Sequence, residues 1–321
     1  MTRPLLEVNN LTTRFRTERG TVTAVDGVSF HVDPGETLAI VGESGSGKSV
    51  TALSVLRLIP DPPGRIESGE ILFDGADLVK LDDAGIRAVR GNKIAMIFQE
   101  PMSSLNPALT VGLQVAEPIN VHRGTPWAKA YEAATELIGR VRIADAASRL
   151  GSYPHQYSGG MRQRVMIAMA LACAPRLIIA DEPTTALDVT VQAQILDLLK
   201  EVTRETGSSL ILITHDLGVV ARYADRVAVM YGGRIVEVAP ARELYARPKH
   251  PYTLGLMASV PRLDGGRRLV PIEGQPPDLA SLPPGCSFAP RCRSMIEPCR
   301  LSRPELTFVA DRHAKACFAD V

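Results

Sequence analysis

Residues 38–49 read LAIVGESGSGKS, and this stretch decides the fold. Residues 38–41 carry no polar side chain, as expected for a strand that is buried on both faces of a parallel sheet. The next eight residues match the phosphate-binding pattern G-x-x-x-x-G-K-[ST], and VTALSVLRL, which follows them directly, has a helical pattern. Strand, glycine-rich loop and helix in this order predict a cradle in which backbone N–H groups and a helix N-terminus face a phosphate. A Gly/Ser-rich surface turn is the alternative, and the flanking strand and helix argue against it.

Two side chains of this loop have roles that follow from their chemistry. We expect Lys48 to reach the β and γ phosphates of a nucleotide and Ser49 to bind Mg²⁺. The other candidates for nucleotide binding in this stretch are Gly42, Ser44, Gly45, Ser46, Gly47 and Val50.

A second apolar run, residues 177–180, ends in the carboxylates Asp181 and Glu182. Because the carboxyl ends of parallel strands face the ligand crevice, we expect both acids beside the phosphate loop. Asp181 suits the Mg²⁺ shell, and Glu182 suits polarising an attacking water. An acidic pair after an apolar run is also a common surface cap, but the phosphate loop favours the catalytic interpretation.

The remaining patterns indicate an α/β fold with additions. The apolar runs LIIA (177–180) and LILIT (210–214) flank the helical pattern VQAQILDLLKEVTRE, which is typical of an α/β core. Residues 5–41 predict short β segments, and residues 101–151 predict helices without a buried strand. We therefore expect a P-loop NTPase core of the RecA-like type, with an N-terminal β subdomain and a helical insertion.

Composition excludes several classes of protein. The 321 residues include 36 Lys and Arg against 35 Asp and Glu, a formal charge of +1 that disfavours a strongly basic nucleic-acid binder. The longest apolar run, residues 165–174, is far short of the ~20 residues that span a bilayer. The N-terminal MTRPLLEVNN lacks the apolar core of a secretory signal, so we expect a cytoplasmic protein.

Residues 157–163, YSGGMRQ, lie between the two motifs and begin a predicted helix. They resemble the signature of ABC ATPases, usually L-S-G-G-Q, with Tyr157 and Met161 as departures. The resemblance extends to residues 5 to about 240 and includes IFQEP around Gln99, A-L-D at residues 186–188 and LITHD around His215. It implies that Gln99 senses Mg²⁺ and the attacking water, that His215 contacts the γ-phosphate and that Phe15 stacks on adenine. For the nucleotide of a facing subunit it implies a set of signature and D-loop residues: Ser158, Gly159, Gly160, Gln163 and Asp188.

Within this family the chain resembles the oligopeptide, dipeptide and nickel importer group. The resemblance rests on residues 98–107 (FQEPMSSLNP), residues 250–253 (HPYT) and a cysteine-containing tail. It implies ATP hydrolysis that energises import of peptides or a related solute. The implied partners are a second ATPase subunit, expected to be a paralogue, two membrane permeases and an extracytoplasmic binding protein, with no nucleic acid, at the cytoplasmic face of the membrane. The alternative is a soluble ABC ATPase of the DNA-repair or translation type, which usually has two cassettes or long coiled coils.

The tail differs in composition from the rest of the chain. Eleven of the 24 prolines and four of the five cysteines follow residue 240, so we predict a separate small, irregular domain. The expected domains are an ATP-binding domain at 1–240, with its helical subdomain at about 101–165, and a C-terminal region at 241–321.

The four tail cysteines are candidate metal ligands. Structural disulfides are rare in a reducing cytoplasm, and the tight C-x₂₋₄-C spacing of zinc knuckles is missing. A [4Fe–4S] cluster tolerates varied spacing, and the resemblance implies one, while zinc and free thiols remain the alternatives. Cys173, in LACA, is predicted to be a small core residue of an apolar helix. The predicted ligands are Cys286, Cys292, Cys299 and Cys317.

Overall fold

The computed structural model describes residues 3–18, 20–185, 187–259 and 270–321. Its strands are β1 (Leu6–Thr17), β2 (Gly20–Val32), β3 (Thr37–Val41), β4 (Gly64–Phe73), β5 (Ala76–Asp77), β6 (Ile94–Ile97), β7 (Leu177–Asp181), β8 (Ser209–Thr214), β9 (Arg226–Tyr231), β10 (Arg234–Pro240), β11 (Thr307–Ala310) and β12 (His313–Lys315). Its helices are α1 (Lys48–Val55), α2 (Asp83–Val89), α3 (Pro101–Ser104), α4 (Val111–Arg123), α5 (Trp127–Arg140), α6 (Ala146–Arg149), α7 (Gly159–Leu171), α8 (Val189–Thr206), α9 (Leu217–Tyr223), α10 (Ala241–Ala246), α11 (Pro251–Ala258) and α12 (Pro298–Leu301).

The chain divides into two compact units. The first consists of Met1–Asp33, Thr37–Lys80 and Ile213–Val321, and the second of Pro34–Glu36 and Leu81–Leu212. None of the helices in the described part of the chain is long and apolar enough to cross a membrane.

The N-terminal strands of the first unit form an antiparallel sheet in the order β2-β1-β4-β5. Strands β1 and β2 are 12 and 13 residues long, whereas the sequence predicts short segments. The register between them shifts between Val8 and Leu11 and again between Leu11 and Thr13. Such irregularities interrupt the two-residue alternation of side chains, so one long strand has the sequence pattern of several short ones.

The first unit also contains strands in the order β11-β12-β10-β9-β3. Strand β3 pairs with β9 in parallel, and β9, β10 and β12 continue in antiparallel pairs. Val41 and Val229 of β3 and β9 share one hydrophobic core with Tyr252 of α11 and Phe288 of the tail. The last quarter of the chain therefore packs into the compact unit that carries the phosphate loop. The domain boundary at about 240 stays a prediction.

The second unit contains β6, β7 and residues 209–212 of β8, in the strand order β8-β7-β6. Every residue of β7 and β8 is buried, as their apolar sequences predict, and β6 pairs with β7 in parallel. Helices α3 to α6 lie between residues 101 and 149, which confirms the helical character expected there. The prediction for Cys173 was wrong in one respect: α7 ends at Leu171, so Cys173 is buried in the turn that follows the helix. Its thiol donates a hydrogen bond to the Pro118 carbonyl oxygen, 3.3 Å away.

Candidate functional site: a phosphate loop, an acidic strand end and a signature helix

The phosphate loop joins β3 to α1, and glycines are required at both of its ends. Gly47 precedes α1 with φ of 103°, a left-handed conformation that favours glycine. A Cβ on Gly42 would stand 2.2 Å from the Met230 carbonyl oxygen, so the loop passes too close to β9 for any side chain. The predicted strand–loop–helix arrangement is confirmed, and β9 is the part of it that the sequence analysis does not identify.

Lys48 is only 4% exposed and folds back over the loop. Its Nζ donates to the carbonyl oxygens of Gly42 at 2.8 Å and Glu43 at 3.0 Å. Ser46 Oγ is buried and has no hydrogen-bond partner among the described residues. Buried polar atoms are normally paired, so an unpaired hydroxyl beside a buried ammonium group and a helix N-terminus fits a site for a phosphate oxygen. Ser44 and Gly45 are exposed at the tip of the loop, and Ser49 and Val50 are half-buried in the first turn of α1.

Phe15 lies on β1, where it pairs with Val22 of β2 and Gly64 of β4. The ring is half-buried, and a Cβ on Gly64 would stand 2.5 Å from its Cε1 atom. Gly64 thus leaves the space that the Phe15 ring occupies. No pattern in the sequence marks Gly64 as a partner of this ring.

The carboxylates after β7 differ in their surroundings. Asp181 is 5% exposed, whereas Glu182 is half-buried and has φ of 44°. Glu182 Oε2 accepts hydrogen bonds from Gln99 Nε2 and from Thr185 Oγ1, both at 3.0 Å. A left-handed backbone at a residue other than glycine is uncommon and is concentrated at functional sites. The second unit therefore brings together the two residues expected to handle the attacking water, Glu182 and Gln99.

The signature residues open α7. Ser158 caps this helix by accepting a hydrogen bond from the Met161 N–H at 3.4 Å, and Ser158 and Gly159 are exposed. A Cβ on Gly160 would stand 2.9 Å from Val191 Cγ1 of α8, whereas one on Gly159 would make an ordinary 3.6 Å contact. Gly160 is thus required by packing within this chain as well as by any role toward phosphate.

The remaining predicted residues lie on separate elements. Asp188 caps α8 by accepting from the Val191 N–H at 2.9 Å, and Ala186 lies outside the described residues. Gln163 is 1% exposed on α7, so its side chain is part of the interior of the unit and not of an open surface. His215, in the first unit, is exposed directly after β8 and before the cap of α9.

The four tail cysteines line one small cavity together with His250, Pro251 and Phe288. The cavity measures about 10 Å³, roughly the space of one water molecule. Burial raises the pKa of the Cys286, Cys292 and Cys317 thiols. Within the described ranges no three His, Cys, Asp or Glu side chains converge closely enough to hold one metal ion. The structure gathers the predicted ligands around one space, and the donor set suits an iron–sulfur cluster, although the cavity would have to widen to hold it.

The sequence analysis misses two residues that contact the phosphate loop from the C-terminal region. The Arg291 guanidinium pairs with the Glu43 carboxylate, and the Glu43 N–H donates to Tyr252 Oη at 2.8 Å. More than 200 residues separate each of them from Glu43, so no local pattern could have shown these contacts.

Comparison with known proteins agrees with this arrangement. Residues 25–185 match the family model described as ABC transporter, and residues 236–299 match the one described as oligopeptide/dipeptide transporter, C-terminal region. The dimeric ATP-binding cassette MJ0796, solved in a post-hydrolysis state bound to ADP and Pi, is 30% identical and superposes with a TM-score of 0.66 over 74% of this chain and 99% of its own. The cbiO1 protein of Clostridium perfringens, part of the transporter complex cbiONQ, is 29% identical with a TM-score of 0.64, over 77% of this chain and 92% of its own.

Two curated relatives match almost end to end. The dipeptide transport ATP-binding protein DppD of Bacillus subtilis is 53% identical over 98% of this chain and 94% of its own length. The oligopeptide transport ATP-binding protein OppD of Haemophilus influenzae is 49% identical over 98% and 97%. With its phosphate loop, acidic strand end and signature helix in place, the chain belongs to the family of ABC-transporter ATP-binding subunits and carries the C-terminal region of the oligopeptide/dipeptide transporters.

Proposed function

We propose that this chain hydrolyses ATP to drive the import of peptides through a membrane transporter. The observation that carries the proposal is the phosphate loop, where buried Lys48 and the unpaired hydroxyl of Ser46 lie at the N-terminus of α1. The names of the full-length relatives, which are dipeptide and oligopeptide transport ATP-binding proteins, support peptides as the cargo.

Each part of the site has a separate task in this proposal. Lys48 binds the β and γ phosphates, and the loop glycines let the backbone approach them, while Phe15 stacks on the adenine. Ser49, Asp181 and Gln99 would hold Mg²⁺, which neutralises charge on the phosphates when it is bound. Glu182 orients and polarises the attacking water, and the hydrogen bond from Gln99 holds its carboxylate in place. His215 contacts the γ-phosphate.

The exposed signature residues would act on the nucleotide that a second ATPase subunit binds. Ser158 and Gly159 are exposed at the N-terminus of a 13-residue helix, where they would face the γ-phosphate held by a second ATPase subunit. We propose that this subunit is a paralogue, that the pair docks on two permeases at the cytoplasmic face of the membrane and that an extracytoplasmic binding protein delivers the cargo. The proposed division of the chain is an ATP-binding domain at 1–240, with its helical subdomain at about 101–165, and a C-terminal region at 241–321.

Replacing Lys48 tests the nucleotide site. Lys48→Ala removes the charge on the β and γ phosphates, so the assembled transporter should lose ATP hydrolysis and peptide uptake while the chain stays folded. Lys129→Ala, on the exposed side of α5, is the matched control and should behave as the wild type. Wild-type ATPase activity in the Lys48→Ala transporter contradicts the assignment.

We further propose that Cys286, Cys292, Cys299 and Cys317 hold a [4Fe–4S] cluster. The support is the shared cavity and the all-thiol donor set, and the cluster's role would be to brace a proline-rich tail with little apolar sequence.

Iron content tests this second proposal. Protein purified without oxygen should be brown with about four irons per chain. Cys292→Ser should lose the iron and make the tail sensitive to protease, whereas Cys173→Ser, which changes the one cysteine away from the cavity, should keep both properties. Stoichiometric zinc in colourless protein would assign the site to zinc, and metal-free protein with a protease-resistant tail would show that the thiols only pack.

A further inference from the structure

The second residue of the phosphate loop, Glu43, carries a negative charge where a nucleotide triphosphate is expected to bind. A carboxylate in an anion-binding loop opposes phosphate binding unless a cation compensates for it, because like charges a few ångströms apart repel. Glu43 is held by a bidentate ion pair with Arg291 of the tail. Arg291 Nη1 donates to Glu43 Oε2 at 2.6 Å, and Nη2 donates to Oε1 at 3.0 Å.

The Arg291 side chain is fixed by the tail and by the core beneath the loop. It is 5% exposed, and its Nε and Nη2 atoms donate to the carbonyl oxygens of Glu273 and Ile272 at 3.0 and 3.3 Å. Nη1 also lies 3.3 Å from Tyr231 Oη at the end of β9. An arginine guanidinium does not lose its proton in proteins, so Arg291 is a permanent positive charge beside Glu43. A planar donor held from several sides presents its charge in one geometry, which a mobile surface lysine cannot do.

The backbone of Glu43 is held from both sides as well. Its N–H donates to Tyr252 Oη, and its carbonyl oxygen accepts from Lys48 Nζ. Tyr252 is fully buried, and its ring packs on Tyr231 and Phe288 with centroids 4.5 and 5.3 Å apart. The C-terminal region thus contacts the phosphate loop through a charge and through a hydrogen bond, and both contacts meet at Glu43.

We propose that Arg291 is a positioning residue for nucleotide binding: it neutralises the Glu43 carboxylate, and so the C-terminal region sets the affinity of the phosphate loop for ATP. The inference rests on the proposed role of this loop in ATP binding. It gives the tail a function in the nucleotide cycle that does not depend on the metal content of its cysteines.

The test is a set of four variants of the full-length chain, with the dissociation constant for ATP measured by equilibrium binding. Arg291→Met leaves an uncompensated carboxylate and should weaken ATP binding by about tenfold or more. Glu43→Gln should bind ATP no more weakly than the wild type. The double variant, Arg291→Met with Glu43→Gln, should return to within about threefold of the wild type, because the repelling charge is gone.

Arg303→Met is the matched control. Arg303 also joins the tail to the core of the first unit, through a 2.8 Å ion pair with Asp26, but it does not touch the phosphate loop. Its ATP affinity should change by less than about twofold. The Arg291→Met defect should also shrink as salt is added, since salt screens a charge effect and leaves a packing defect unchanged.

Several results would overturn the proposal. One is ATP binding by Arg291→Met as tight as by Arg303→Met, and another is a double variant as weak as Arg291→Met alone. If Arg291→Met fails to fold, Glu43→Gln still tests the proposal. Weaker ATP binding by Glu43→Gln than by the wild type would contradict the claim that the Glu43 carboxylate repels ATP. Lys48→Ala distinguishes a failure of the proposed nucleotide site from a failure of this inference. Wild-type ATP binding by Lys48→Ala refutes the nucleotide site itself. Loss of ATP binding by Lys48→Ala, together with wild-type ATP binding by Arg291→Met, refutes only the role of Arg291.

Discussion

At the scale of single residues, Glu182 combines an unusual backbone with a defined hydrogen-bond environment. Its φ of 44° follows directly on the buried strand β7, and two donors, Gln99 Nε2 and Thr185 Oγ1, share its Oε2 atom. A strained conformation of this kind costs of order 1–3 kcal/mol and persists only where its surroundings hold it. The arrangement fixes the orientation of the Glu182 carboxylate through Oε2, which both donors share.

We predict that Glu182→Gln binds ATP as the wild type does and hydrolyses it about 10²-fold more slowly or worse. Glutamine has the same shape and can still accept from Gln99 through its own oxygen, but it cannot polarise water. Single-turnover hydrolysis and ATP binding in the assembled transporter measure the two effects separately. Glu136→Gln, in the middle of α5, is the control and should change neither. Loss of ATP binding in Glu182→Gln contradicts the assigned role.

At the scale of elements, helix α11 is capped at its N-terminus by a buried histidine, His250. His250 Nδ1 accepts from the Tyr252 N–H at 3.1 Å, and the His250 N–H donates to Glu237 Oε2 at 3.1 Å. Glu237, fully buried on β10, also accepts from the Lys249 N–H at 2.6 Å and lies 2.8 Å from His313 Nε2 of β12. These bonds join β10, α11 and β12 beside the core that contains Tyr252. Because Nδ1 serves as an acceptor, His250 has to be neutral for α11 to be capped in this way.

Acid should therefore destabilise this part of the chain. Burial lowers the pKa of His250 from 6.5 to about 4. Above pH 6.5 the imidazole is neutral in both states, and as the pH falls toward 4 the unfolded chain takes up a proton that the folded chain does not. Stability is thus lost over this window by up to roughly 3 kcal/mol. Unfolding midpoints in urea between pH 4 and 8 should fall with acid in the wild type and fall less in His250→Asn. His155→Asn, an exposed histidine, should keep the wild-type slope; equal slopes in all three proteins contradict the prediction.

At the scale of the whole molecule, the signature residues Ser158 and Gly159 are exposed at the start of α7. Packing among the described residues does not require a glycine at position 159. Gly159 has room for a side chain, whereas Gly160 is packed against Val191 of α8. A substitution at Gly159 therefore tests a second subunit, while one at Gly160 also disturbs the packing between α7 and α8. For this reason Gly159 is the cleaner position to change.

We predict that Gly159→Glu abolishes ATP hydrolysis in the assembled transporter and leaves ATP binding by the isolated chain unchanged. A carboxylate in the first turn of α7 suits the helix dipole, so the fold is retained, but it would repel the γ-phosphate held by the facing subunit. The isolated wild-type chain should itself be a weak ATPase. Ala128→Glu places the same charge in the first turn of α5 and serves as the control. Full activity in the Gly159→Glu transporter, or an isolated chain as active as the complex, contradicts a composite site.

Local physical chemistry explains what could be predicted from the sequence. A glycine-rich loop between an apolar strand and a helix can form its cradle from adjacent residues alone, so the residues around Lys48 were predictable without knowing what packs on them. The same holds for the buried strand before Asp181 and for the helix that starts after Ser158. The four tail cysteines lie around one small cavity, while their role as cluster ligands stays a prediction.

The tertiary structure alone decided the contacts between distant segments. Arg291 reaches Glu43 across 248 positions, the Phe15 ring occupies the space left by Gly64, and Val191 leaves little room for a side chain at Gly160. None of these pairs has a spacing or a periodicity that a sequence pattern can register, because they depend on how separate elements pack. The sequence by itself determined that this chain has a nucleotide loop, an acidic strand end and a signature helix. The fold decided that the C-terminal region contacts the nucleotide loop, since the half-buried Glu43 carboxylate of that loop pairs with a guanidinium that packing supplies from the tail.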